Sequence, residues 1–350
     1  MGRGALVSII ISNYNYARFL KQAVDSALGQ THPEVEVIVV DDGSTDNSRE
    51  IIAQYGERVV PVFKANGGMI SALNAAFPLN HGEVICFLDA DDALLPEAME
   101  KVVPLFGDPR VAEVDWPLRV VDHTGVPTGK VVPKSGHAWS RDALEQLFPL
   151  PEEERRYGVD GYLWTIVPML GRVEEMGEPL GFYRWHGENW FAGRSLEERV
   201  RIGVEEFDFY YMALEEWCGR LGRPFDLEQC LRDSWFHRMH RSIQEIKAVT
   251  PEGATLILVD EEQWGAGQDL AGRRLLPFSE RDGEYWGVPG DDVTAVQELE
   301  RLRAVGAGFM VFVWSTFWWL DHFSGLRRHL ADQYRRVLEN DRLIVVDLRN

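Results

Sequence analysis

Cysteine is scarce in this chain. There are three, Cys86, Cys218 and Cys230, with no paired spacing, which excludes a disulfide framework and a zinc-finger motif. A reduced, intracellular setting fits best, and a cytoplasmic location is expected. Positive charge is also short: 36 Lys and Arg stand against 56 Asp and Glu, a net charge of −20. Such a balance argues against nonspecific binding of nucleic acid or anionic lipid, and a phosphate-bearing ligand would need a local metal ion instead of a general basic field. No long hydrophobic run occurs. The longest, around Phe309 to Leu320, falls well short of a membrane span, so a soluble protein is expected, with peripheral membrane association left open. Met1-Gly2-Arg3-Gly4 leads straight into a strand-like run, and no signal peptide is expected. Finally, no glycine lies between Leu6 and Leu28. The first loop therefore lacks the G-x-G-x-x-G of a dinucleotide fold, and no P-loop lysine motif appears.

What is present is a core-forming composition, 45% hydrophobic over 350 residues, enough for two domains. Ala5 to Ile11 is a β-branched run that reads as a buried strand. Phe19, Leu20, Ala23, Val24, Ala27 and Leu28 then recur at helical spacing up to Gly29. Val35 to Val40 predicts a second strand, with Ser44 or Asp46 able to cap the helix carrying Ile51, Ile52 and Tyr55. Val59 to Phe63, a helix from Met69 to Phe77, and Glu83 to Leu88 continue the alternation, and a helix start is expected at Leu94-Leu95-Pro96-Glu97. Strands alternating with helices over short loops predict an α/β fold with a largely parallel sheet.

In such sheets ligands bind outside the carboxyl ends of the strands. The polar segments Ser12-Asn13-Tyr14-Asn15, Asp41-Asp42 and Asp89-Ala90-Asp91-Asp92 fall at those ends and should converge on one crevice. Two carboxylates at i and i+2 repel by about 4 kcal/mol at ~4 Å and an effective dielectric near 20. They need a cation, or one must hold a proton. Oxygen ligands of this kind suit Mg²⁺ or Mn²⁺, held by one or two carboxylates plus substrate phosphates.

Val7-Ser8-Ile9-Ile10-Ile11-Ser12-Asn13-Tyr14-Asn15, Val39-Val40-Asp41-Asp42-Gly43-Ser44-Thr45-Asp46 and Phe87-Leu88-Asp89-Ala90-Asp91-Asp92, taken in order, resemble the family 2 glycosyltransferases of the GT-A fold over residues 5–190. Ser12 stands where that family often has Pro. The resemblance implies that Ser12, Asn13, Tyr14 and Asn15 help hold the base of a nucleotide sugar. It implies further that Asp42 accepts from the base, that Asp41 orients its loop, and that Asn66 to Gly68 lie near the base. Asp89 is implied as a ribose or metal contact and Asp91 as a direct metal ligand, the ion neutralising the leaving diphosphate. Val159-Asp160-Gly161 resembles the family's Glu-Asp element with Val159 in place of Glu, so Asp160 alone can serve as the catalytic base; the competing reading is a helix N-cap. Tyr183-Arg184-Trp185-His186 resembles the family's closing segment and makes His186 a candidate metal or phosphate ligand. Trp116 and Trp139 are candidates to stack on an acceptor sugar, and Pro149 to Arg156 reads as a mobile loop before Asp160.

The expected organisation is a GT-A nucleotide-sugar-binding domain over 1–194 with a mixed, mainly parallel sheet, a helical extension over 195–250, and a small C-terminal α/β domain over 251–350 of unknown role. In that last part Trp318, Trp319 and Phe323 are expected to pack a helix onto the sheet. The function implied is metal-dependent, inverting transfer of a sugar from a nucleotide diphosphate, UDP foremost, to a glycan acceptor. A sugar nucleotidyltransferase would share the layout but wants a basic, Gly-rich first loop. A non-catalytic glycan-binding scaffold would be expected to have lost Asp89, Asp91 or Asp160, and all are present.

Overall fold

The computed structural model describes residues 4–152, 158–189, 193–264 and 269–349. Residues 1–3, and 153–157 within the loop expected from Pro149 to Arg156, lie outside the described residues. The chain divides into two compact units, residues 1–192 with 212–225, and residues 193–211 with 226–350.

The first unit is built on a nine-stranded mixed sheet. Its strands are β1 (Val7–Asn13), β2 (Val35–Asp41), β3 (Val60–Phe63), β4 (Val84–Asp89), β5 (Ala93–Leu94), β6 (Val111–Val121), β7 (Pro127–Ser140), β8 (Arg172–Glu175) and β9 (Gly181–Arg184). The order is β3-β2-β1-β4-β7-β6-β9-β5, with β8 also on β6. The half made of β3, β2, β1 and β4 is parallel, as the alternation predicts. The rest is mixed: β4–β7, β6–β7 and β5–β9 pair antiparallel, and β6 pairs parallel with β8 and β9.

The helices are α1 (Ala17–Leu28), α2 (Ser48–Ala53), α3 (Met69–Ala76), α4 (Ala98–Val102), α5 (Arg141–Leu144) and α6 (Val159–Ile166). Helix α1 buries Phe19, Leu20, Ala23, Val24 and Ala27, the stripe read from the sequence. Asp46 ties two helix starts together: one oxygen accepts from Ala17 N (3.0 Å) and the other from Ser48 N (3.0 Å). The helix expected from Leu94 begins later, at Ala98. Ala93 and Leu94 instead pair with Phe182 and Gly181 as β5, so their backbone groups are already taken by the sheet.

Gly136 on β7 sits opposite Trp116 of β6, and a Cβ there would overlap the Trp116 indole. Gly136→Ala is therefore expected to destabilise the fold by about 1–3 kcal/mol through overpacking. A lowered denaturant midpoint at unchanged m-value would register it.

The second unit contains a five-stranded sheet ordered β11-β10-β14-β16-β15. Here β10 is Thr255–Val259, β11 Arg274–Pro277, β14 Phe309–Val313, β15 Arg335–Glu339 and β16 Leu343–Asp347. A two-stranded ribbon, β12 (Glu280–Arg281) and β13 (Glu284–Tyr285), lies between β11 and β14 in sequence. The helices are α7 (Leu196–Arg220, which crosses the division at residue 211), α8 (Leu227–Asp233), α9 (Trp235–Val249), α10 (Asp292–Ala304), α11 (Trp318–His322) and α12 (Ser324–Gln333).

Both faces of this sheet are covered, so its strands read as continuous apolar runs. Ile257, Val259, Met310 and Phe312 join Leu299, Trp319, Phe323 and Leu326 on one face. Leu256, Leu258, Phe309 and Val311 join Leu196 and Val200 of α7 and Met239, Ile243 and Ile246 of α9 on the other. Trp319 and Phe323 thus pack as expected, whereas Trp318 stays exposed.

Candidate active site

The register of three parallel strands builds the site. Ser12 lies beside Asp89 across β1 and β4, and Asn13 beside Asp41 across β1 and β2. The three polar segments therefore leave the sheet at one edge, side by side.

Their loops are bolted to one another by side-chain hydrogen bonds. Asn13 Nδ2 donates to Asp41 Oδ1 (3.2 Å) and to Ser44 Oγ (3.1 Å). Ser44 Oγ also accepts from Asn15 N (2.9 Å), and Asn15 Oδ1 accepts from Thr45 N (2.7 Å). Asn15 takes a φ of 60°, a left-handed conformation that Asn tolerates better than most residues. Arg49 Nε donates to Asp41 Oδ2 (2.7 Å). Asp42 Oδ1 accepts from Lys64 Nζ (2.6 Å) and Gly67 N (2.9 Å), and Oδ2 from Gly68 N (2.7 Å). Its carboxylate thereby shapes the 66–68 turn, where Gly68 has a φ of 84° that a side chain would strain.

A crevice of about 370 Å³ opens over these loops, lined by Ser12, Asn13, Tyr14, Asp42, Asn66, Gly68, Asp89 and Asp91. Of the residues expected to hold a nucleotide, Asn15 and Asp41 stand behind the wall as braces and the others line it. Asn13 Oδ1 is a buried acceptor with no protein partner. Sequence reasoning missed Tyr16, which also lines the crevice; burial and the charges of Asp91, Glu188 and Asp89 push its phenol up to about 12.

At the rim the acids crowd. Asp89 and Asp160 keep open surface within the concave ground that both line. Burial, then the charges of Asp91 and Asp160, hold Asp89 well above the usual carboxylate range. Burial with Asp91 and Asp89 does the same to Asp92, against the pull of Arg184. Asp91 Oδ2 lies 2.8 Å from His186 Nε2.

Arg184 braces this rim from beneath. Its N–H donates to Asp92 Oδ1 (2.9 Å), Nε to the Asp91 carbonyl (3.0 Å), Nη2 to Gln22 Oε1 (2.6 Å) and Nη1 to the Asp122 carbonyl (3.2 Å). Its guanidinium also lies over Phe19, 4.8 Å from the ring centroid.

Among the described residues no group of three or more His, Cys, Asp or Glu could hold a metal alone. Asp89 and Asp91 offer oxygens of the kind a hard divalent cation takes, and the charges acting on Asp89 are negative; the two ring nitrogens of His186 are occupied, Nε2 by Asp91 Oδ2 and Nδ1 by the Glu188 N–H (3.2 Å). Mg²⁺ sites of this type complete their shell from substrate phosphates and water.

A smaller chamber, about 40 Å³, adjoins the crevice and shares Ser12, Met69 and Asp89 with it. Asp160 faces it from the first turn of α6. The N-cap there is Gly158, so Asp160 is not the cap, and its carboxylate sits where the helix dipole favours negative charge. Trp116 and Trp139, expected to stack on an acceptor sugar, are 0% and 1% exposed. They form the floor of the chamber, and packing of this kind leaves no open ring face for a pyranose.

Beside Asp160 stands a pair that sequence reasoning missed. His137 Nδ1 lies 2.9 Å from Glu113 Oε1, and the residues are 6% and 2% exposed. Burial alone would lower the imidazole, but the Glu113 hydrogen bond and the charges of Asp160, Glu113 and Asp115 hold it above its ordinary value. Burial raises Asp160 too; His137 pulls it down and Glu113 pushes it up.

These features define a glycosyltransferase, and the relatives agree. A model of glycosyl transferase family 2 matches residues 8–157. An uncharacterized glycosyltransferase of Nostoc sp. is 37% identical over 282 residues, 70% of this chain and 87% of that relative. The hyaluronan synthase of Pasteurella multocida is 40% identical over 151 residues, 42% of this chain but 15% of that protein. Among solved structures, a mannosyltransferase from Pyrobaculum calidifontis in complex with GDP-Man and Mn²⁺ superposes with a TM-score of 0.48 at 16% identity, covering 71% of this chain and 76% of that one. The chain belongs to glycosyl transferase family 2, and its first unit has the GT-A arrangement that the sequence resemblance implies.

Proposed function

We propose that this glycosyltransferase moves a sugar from a nucleotide diphosphate, UDP foremost, to a hydroxyl of a glycan, with inversion at the anomeric carbon and dependence on Mg²⁺ or Mn²⁺. The observation that carries this reading is the strand register that sets Ser12 beside Asp89 and Asn13 beside Asp41, with Asp160 in a chamber that shares Asp89. Ser12, Asn13, Tyr14, Asp42, Asn66 and Gly68 line the place for the nucleotide. Asn13 Oδ1, buried without a partner, suits an N–H of the base. Asp89 and Asp91 would hold the cation, with His186 holding the Asp91 carboxylate in place. When bound, it supplies positive charge to the departing diphosphate.

The acceptor enters from the other side of Asp89. Asp160 takes the proton of the attacking hydroxyl as its oxygen bonds the anomeric carbon. The bond from that carbon to the phosphate oxygen breaks, and its electron pair leaves with the nucleotide. One base and one displacement give inversion. Residues 1–194 carry the chemistry in this reading, with 195–250 and 251–350 outside it. No helix among the described residues is long and apolar enough to cross a membrane; we place the enzyme in the cytoplasm, acting on a glycan intermediate there.

Calorimetry with UDP, GDP, dTDP and CDP, each with Mn²⁺ and with chelator, tests the donor site. UDP is expected to bind with Mn²⁺ and to lose at least about tenfold in affinity with chelator, a difference of about 1.4 kcal/mol. A folded chain that binds none of the four would overturn the reading.

A further inference from the structure

We infer that Glu113 and His137 are a buried positioning pair for Asp160, Glu113 fixing the imidazole so that Nε2–H faces the chamber where Asp160 works. This rests on Asp160 being the base of the proposed transfer. The strand register places the parts. Glu113 lies opposite Trp139 and Asp115 opposite His137 in the antiparallel β6–β7 pair. Directly opposed and alternate residues share a face, so all four point to one side of the sheet. His137 and Trp139 line the chamber from that side, and Asp160 faces it from α6.

Stability does not explain this pair. Burying an imidazole and a carboxylate costs both their hydration, and a well-packed apolar pair would serve the sheet at least as well. Orientation does explain it. With Nδ1–H donated to Glu113, the ring cannot flip, and Nε2 is the nitrogen left for the chamber. Stacking on Trp139, with centroids 5.4 Å apart and an interplanar angle of 15°, fixes the ring plane as well. The groups acting on this imidazole are Glu113 and Asp115 from β6 and Asp160 from α6. Lys134 of β7 acts on Asp115, and Asp160 in turn acts on Asp89 and the Cys86 thiol of β4. Asp160 thus sits among carboxylates that oppose its ionisation, and His137 is the group that favours it.

The test uses the intact chain with isotope-labelled histidine, followed by NMR from pH 5 to 9. The protein has nine histidines, and the resonance missing in His137→Gln identifies the one of interest. Its midpoint is expected above the ordinary imidazole value of about 6.5. In Asp160→Asn the midpoint should fall by about half a unit or more, since an anion facing it is gone. In Glu113→Gln it should fall as well. An unchanged midpoint in folded Asp160→Asn, or in Asp160→Ser should the Asn variant not fold, would overturn the pairing. In the pH–rate profile, His137→Gln should move the acidic limb of kcat/KM to higher pH. Slower turnover with an unmoved limb would make His137 merely structural. The titration needs no substrate, so it stands or falls separately from the transferase reading.

Discussion

Asp160→Asn is expected to lower kcat by about 10²–10⁴-fold while leaving the affinity for nucleotide with Mn²⁺ unchanged. The amide keeps the volume and polarity of the side chain but cannot accept the acceptor's proton. The nucleotide should register the change little, because Asn13, Asp42 and Gly68 line the crevice whereas Asp160 faces the adjoining chamber, the two meeting at Ser12, Met69 and Asp89. Equal loss of turnover and nucleotide binding would show instead that Asp160 is a structural part of the site. The wild-type pH profile carries the same signature. Burial raises the Asp160 carboxyl above its ordinary value of about 3.9. A base must be ionised to act, so activity should fall on acidification at a higher pH than an exposed aspartate would allow. In Asp160→Asn the residual rate should lose that limb.

The second large effect is expected at the rim. Asp91→Ala should weaken nucleotide binding in the presence of Mn²⁺ by about 10–100-fold, the range seen when a metal's supporting groups are removed. In chelator the variant and the wild type should bind alike. Alanine removes a carboxylate and also frees His186, whose Nε2 lies 2.8 Å from Asp91 Oδ2. One substitution therefore removes a proposed ligand and the partner of the histidine behind it. Calorimetry with and without chelator decides the matter; affinity unchanged in both conditions would remove Asp91 from the metal shell.

Much of this was legible in the sequence where local pattern and position coincide. The parallel half of the first sheet follows from β-branched runs alternating with amphipathic stripes, and α1 buries the residues that the stripe names. Its loops converge because parallel strands end on one edge, a rule that needs no knowledge of register. The antiparallel half was not legible. Strand β7 is exposed over its outer part, carries Gly129, Pro133 and Gly136, and has no clean alternation to read. Without β7 there is no pairing between β6 and β7, and without that pairing Glu113 and His137 are unrelated residues 24 positions apart. For the same reason Trp116 and Trp139 could be read as candidates to stack on a sugar. Their burial is a property of the hairpin, which brings Gly136 against Trp116 and covers both indoles. The brace Lys64 was hidden too, and the partners of Arg184 could not be named, since a long side chain's partner is set by tertiary packing.

Arg184 carries a consequence for how this enzyme meets its ligand. Its planar fork links α1, the turn after β6 and the backbone of the acidic rim, with bonds to two backbone carbonyls. Such bracing is expected to fix the rim when the chain folds, so that little of its freedom is left to lose when a nucleotide binds. A site ordered in advance lets contact energy appear as affinity instead of being offset by the entropy of arranging a loop. Lysine at this position would keep the charge and lose the fork, leaving the acids in place but free to drift apart.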